Sequence, residues 1–110
     1  MKLIYAIVRN DNEEDVTYAL NDNGFIVTRL STTGGFLKKG NTTLMICTDD
    51  AKVDLAVEVI RKECGESKEI TVDMPFVAGA ALPGYASVPT QVAVGGATIF
   101  VTNVERFEKF

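Results

Sequence analysis

Apolar residues run unbroken from Leu3 to Val8, and side chains alternate along a strand, so the two faces Leu3/Tyr5/Ile7 and Ile4/Ala6/Val8 are both apolar. A strand over about 2 to 9 with two such faces belongs inside a sheet. The period then changes. From about 12 to 23 an acidic first turn, Glu13-Glu14-Asp15, precedes a short stripe of Val16, Ala19 and Leu20, with Gly24 placed to end the helix. Phe25 to Ser31 and Thr42 to Thr48 are rich in β-branched and aromatic residues and read as an antiparallel pair joined by a glycine loop. Helical spacing returns between Asp50 and Cys64, where Val53, Ala56, Val57, Ile60 and Cys64 line one side and Gly65 supplies the stop. Lys68 to Val72 follows as a short strand. Met74 to Pro89 carries all three prolines and reads as a long loop, a second candidate surface. Gln91 to Val94 and Ala97 to Thr102 are strands across the turn Gly95-Gly96, and the chain closes on Phe107 and Phe110.

The order β-α-β-β-α-β with an extra C-terminal strand predicts an α+β, ferredoxin-like fold: an antiparallel sheet with two helices on one face. That arrangement leaves the other face bare. Strands apolar on both sides need cover on both, so other copies of the chain are expected to supply it, and cyclic symmetry makes a trimer a natural choice.

At 110 residues and 46% hydrophobic content the chain is expected to form a single domain over 1–110. Lys and Arg number 11 against 15 Asp and Glu, with no block of like charge, which disfavours a nucleic acid polymer as partner. The start lacks a basic segment followed by a cleavage site, and no apolar run approaches the ~18 residues of a membrane span. A cytoplasmic protein with no membrane partner is the expectation. Histidine is absent, which removes the commonest general base and transition-metal ligand. Cys47 lies in an apolar strand-like run and Cys64 at a helix end, so each is expected as a buried thiol. Asp49-Asp50 is expected to cap the second helix, in preference to holding a metal.

Chemistry concentrates between residues 32 and 43, in Thr32-Thr33-Gly34-Gly35-Phe36-Leu37-Lys38-Lys39-Gly40-Asn41-Thr42-Thr43. Glycines let backbone N–H groups approach an anion, Phe36 offers a flat face to a base, Asn41 can meet an adenine edge, and the threonines can bond phosphate or ribose oxygens. A Gly-Gly between strands is also a common turn, and this stretch matches neither the Walker pattern nor the dinucleotide fingerprint. The loop alone leaves both readings open.

The segment TTGGFLKKGNTT, its place between the second and third strands, and the late VGGATIFV strand resemble the PII-like cyclic di-AMP receptor family of bacteria, and the resemblance runs nearly end to end. That family is similar in fold to the PII nitrogen-regulatory signalling proteins. The resemblance implies a homotrimeric signal receptor without catalytic residues, cofactor or metal, binding one cyclic di-AMP in each cleft between subunits and presenting altered loops to a downstream protein. Carried over by position, it implies that Phe36 stacks on an adenine, that the backbone at Gly35 and Leu37 and the side chains of Thr28 and Asn41 bond the ligand, and that Phe100 lines the cleft. Three positions depart from the family pattern. Gly24, Ile26 and Cys47 stand where family members carry a polar residue, an arginine and a glycine. A lost arginine contact would lower affinity, with Lys38 or Lys39 available to compensate, although lysine lacks the planar fork.

Two alternatives define the contrast. One is a PII-type trimer for ATP, ADP or another adenine nucleotide, disfavoured by the lack of a basic cluster. The other is an acylphosphatase-like enzyme, which would need Arg29 and Asn41 aimed together at a phosphoryl group, and whose phosphate loop is not apparent after the first strand.

Overall fold

A computed structural model describes residues 1–30, 40–74 and 88–110 of the chain. Lys2–Arg9 (β1) leads into Asn10–Asp22 (α1), Val27–Leu30 (β2) and Asn41–Thr48 (β3). A single 3-10 turn at Asp50–Lys52 then opens into Val53–Cys64 (α2), followed by Lys68–Met74 (β4), Val88–Val94 (β5) and Ala97–Asn103 (β6). The fold is mixed α+β. Four antiparallel strands form the main sheet in the order β2-β3-β1-β6, the ferredoxin-like order with β6 as its fourth strand. β1 is interior, as its two apolar faces require.

The expected strand at Lys68 does not enter this sheet. It extends to Met74 and pairs antiparallel with β5, from Lys68 opposite Val94 to Met74 opposite Val88, as a separate two-stranded ribbon. Met74, Val88 and Pro89, expected at the ends of a long loop, are therefore strand residues, and 75–87 lie outside the described residues.

Pleating sorts the main sheet into two faces. On one, Ile4, Ala6 and Val8 of β1 and Leu44 and Ile46 of β3 are essentially inaccessible, and they pack with Val16 and Leu20 of α1 and Ala56 and Ile60 of α2. Both helices therefore cover the same face, with their stripes where the sequence puts them. Among the described residues these form one core cluster, with Val27 and Ile99 packed against it from the edge strands.

The local signals act as read, with shifted bounds. Helix α1 starts at Asn10, earlier than its acidic turn suggests, because tertiary contacts anchor it there: the Asn10 N–H donates to Gly40 O at 2.8 Å, and Thr42 Oγ1 donates to Asn10 Oδ1. At its end Phe25 N–H donates to Leu20 O (2.9 Å) and Gly24 N–H to Asn21 O (3.0 Å), with Gly24 at φ +88°. This is the Schellman stop, completed by burial of both Phe25 and Leu20. It occupies Phe25 and Ile26, so β2 begins only at Val27.

Asp49 and Asp50 do not cap α2 with their side chains. Asp50 instead accepts from the N-terminal ammonium of Met1 at 2.9 Å, and that hydrogen bond holds its carboxyl below the usual 3.8. The 3-10 turn that intervenes before α2 closes on the backbone, with Lys52 N–H donating to Asp49 O at 2.9 Å.

Candidate functional site

The face opposite the helices carries Thr28, Asn41 and Phe100 of the predicted site residues. Register places Thr28 opposite Met45, Met45 opposite Tyr5 and Tyr5 opposite Phe100, one continuous row across all four strands. The next row toward the glycine loop is Leu30, Thr43, Ile7 and Thr98, and beyond it Asn41 faces Arg9. Leu3, Tyr5, Ile7 and Met45 are half-buried, while Thr28 is exposed and Phe100 is 58% exposed. The face is thus apolar at its centre and open to solvent.

Thr28, Asn41 and Phe100 share this face without converging. Thr28 and Phe100 are three strand spacings apart, about 14 Å, and Asn41 lies two rungs along β3 from their row, about 13 Å. Gly35, Phe36 and Leu37, together with Lys38 and Lys39, lie outside the described residues. Of the departures from the family pattern, Gly24 has a role of its own as the left-handed residue that ends α1, and Ile26 is 81% exposed.

Cys47 is not the buried thiol expected. It is exposed, because position 47 has the pleat parity of Met45 and falls on the open face, whereas Leu44 and Ile46 enter the core. Cys64 is buried as expected, and burial, with Glu63 adding to it, pushes its thiol above the ordinary 9.0.

Asn41 does line a cleft, of about 170 Å³, at the end of the open face between the main sheet and the base of the ribbon. Its other walls include Ile7, Arg9, Thr98, Ser67 and the Gly95-Gly96 turn. Arg9 Nε donates to Gly95 O at 3.0 Å. Sequence reasoning missed Arg9, although it follows Leu3, Tyr5 and Ile7 at the spacing that marks their face. The turn itself is closely seated: Gly96 N–H donates to Gly65 O at 3.0 Å, and a Cβ on Gly95 would stand 2.6 Å from Glu66 O.

Arg29 is turned the other way. Its guanidinium meets Glu13 Oε1 at 2.6 Å and 2.8 Å, a carboxylate that is itself buried and also accepts from Thr17 Oγ1 at 3.3 Å. Arg29 pairs with Leu44 in register and so belongs to the helix-covered side, while Asn41 opens the other. The pair that a phosphoryl-transfer enzyme would need is split by the sheet. Among the described residues no cluster of acidic, cysteine or histidine side chains has the makings of a metal site, and no helix is long and apolar enough to cross a membrane.

A four-stranded antiparallel sheet with both helices on one side makes the chain an α+β protein of ferredoxin-like architecture, compatible with the PII-like fold. The family model for the cyclic-di-AMP receptor matches residues 1–110, the whole chain, and the chain belongs to that family. It is also similar to a crystal structure of a functionally unknown protein from Pediococcus pentosaceus ATCC 25745. The two are 36% identical with a TM-score of 0.71, and the match covers 99% of this chain and 96% of that one.

Proposed function

We propose that this receptor works as a homotrimer that binds cyclic di-AMP in clefts between subunits and changes its loops for a partner protein. The observation that carries the reading is the open face, where Tyr5, Ile7 and Met45 are left half-exposed by a single chain and Thr28, Asn41 and Phe100 stand around them. A neighbouring copy packed on that face would bury the apolar centre and bring a second wall to residues that one subunit holds too far apart. Phe36 would then stack on an adenine, with the backbone at Gly35 and Leu37 and the side chains of Thr28 and Asn41 bonding the ligand, and Phe100 closing the cleft.

Signalling follows as a population shift. A ligand that contacts one arrangement of the 31–39 segment stabilises it by the difference in affinity between arrangements and by no more. Free thiols at Cys47 and Cys64 suit a reducing interior, consistent with action in the cytoplasm. Calorimetric titration of cyclic di-AMP into the wild type and Phe36→Ala, with mass measured on the same samples, tests the reading. Saturable binding by an oligomer, weakened in the variant, is the expected result. A single-chain mass with no heat of binding removes it. Competition by ATP against labelled cyclic di-AMP checks the ligand, and preference for ATP would reassign it.

A further inference from the structure

We propose that Arg9 supplies the cation for a phosphate of the bound dinucleotide, in the cleft that it shares with Asn41 and Thr98; the inference rests on the site reading above. At about 170 Å³ the cleft is smaller than the roughly 300–1,000 Å³ of a whole small-molecule site, which suits a phosphate better than a nucleoside. Its polar lining is of matching character. The described residues around it offer a guanidinium, the Asn41 amide and the hydroxyls of Ser67 and Thr98, and none of them is acidic.

Arg9 is also pre-positioned. It is half-buried at the last residue of β1, and its Nε is fixed on Gly95 O at 3.0 Å, so the guanidinium plane is oriented by the protein before any ligand arrives. A fork with five donors keeps its terminal nitrogens for a further acceptor when Nε is committed, and a planar cation is well suited to two phosphate oxygens at once. Arg29, the other β-strand arginine of the main sheet, is engaged by Glu13 on the far side. Glu13, the buried carboxylate of α1, is thereby ion-paired on the helix-covered side of the sheet, opposite the face that carries the cleft.

The same contact ties ligand to ribbon. Gly95 joins β5 to β6, so a phosphate on Arg9 would bear on the turn from which the β4–β5 ribbon leaves the sheet.

Calorimetry with cyclic di-AMP on the wild type, Arg9→Ala, Arg9→Gln and Arg9→Lys is the test, with thermal midpoints of each protein taken free and bound. Arg9→Ala and Arg9→Gln should weaken binding about ten- to a hundredfold, as loss of a charge-assisted hydrogen bond does, and Arg9→Lys should weaken it less. Arg9→Gln keeps a donor for Gly95 O, so it separates charge from tether even where Arg9→Ala folds poorly. A lowered midpoint of the free protein with affinity within twofold of wild type would make Arg9 a tether alone and overturn the proposal. Tight wild-type binding undiminished in Arg9→Gln would overturn it while leaving the receptor reading intact. A wild type silent toward cyclic di-AMP would remove both.

Discussion

The two faces of the main sheet are built from alternate residues of the same strands, yet they meet opposite fates. Ile4, Ala6 and Val8 are covered to 0%, 0% and 1% exposure by α1 and α2, while Leu3, Tyr5 and Ile7 between them remain half-open, and Phe100 opposite Tyr5 is 58% exposed. One face is a finished core within a single chain. The other is apolar along Leu3, Tyr5, Ile7 and Met45 but lacks a cover, and Thr28, Asn41 and Phe100, proposed above to meet the ligand, stand on that unfinished side. The pleat therefore separates the stabilising face from the one proposed to recognise the ligand.

The largest effect expected from breaking that division is on assembly. Tyr5→Asp places a charge at the centre of the open face, where burial against another copy would cost several kcal/mol, so the mass in solution should fall to that of one chain while far-UV circular dichroism is kept. A wild type already of single-chain mass would refute the contrast. Next come the neighbours Ile46 and Cys47, which occupy opposite faces of β3. Ile46→Ala should lower the unfolding free energy by about 2–5 kcal/mol, and Cys47→Ala by less than about 0.5 kcal/mol, both read by urea denaturation. Comparable losses would mean that Cys47 carries packing the pleat does not suggest.

Arg29→Ala sharpens the finished side. It strands the buried Glu13 carboxylate, but Arg29 is 62% exposed and solvent weakens the pair, so a loss of about 1–2 kcal/mol is expected. Double-mutant coupling with Glu13→Gln measures it, and additive effects would argue that the pair contributes nothing. The smallest effect concerns Asp50. Its folded pKa is lowered, so its stabilisation is present above the ordinary value of 3.8 and is lost as pH falls through the lower folded value. Asp50→Asn should flatten the fall of the thermal midpoint below about pH 4, and an unchanged acid limb would count against the Met1 contact.

Much of this was legible in the chain because local chemistry and tertiary placement agree. The helix stripes, the Gly24 stop and the two apolar faces of β1 each lead to the observed element. The failures share a cause. Cys47 looks like core by composition, and only its parity within β3 places it outside. Arg9 looks like a solvated strand end until its spacing from Ile7 is counted and Asn41 is found opposite. Which partner β4 takes is a long-range choice that periodicity does not encode, and an N-terminal ammonium meeting Asp50 depends on where β1 begins in space. Phe36 and its neighbours in the glycine loop rest on the family likeness, since they lie outside the described residues.

The seating of the Gly95-Gly96 turn has a consequence for how this receptor can diverge. A Cβ on Gly96 would come within 2.7 Å of Ser67 Cβ, as one on Gly95 would approach Glu66 O, so backbone meets backbone where the ribbon leaves the body. The way the ribbon joins the body is thus tied to two positions that have no side chain. A side chain admitted at either would have to push Glu66 or Ser67 aside, so variation of this turn is closed off to the family member that keeps this geometry.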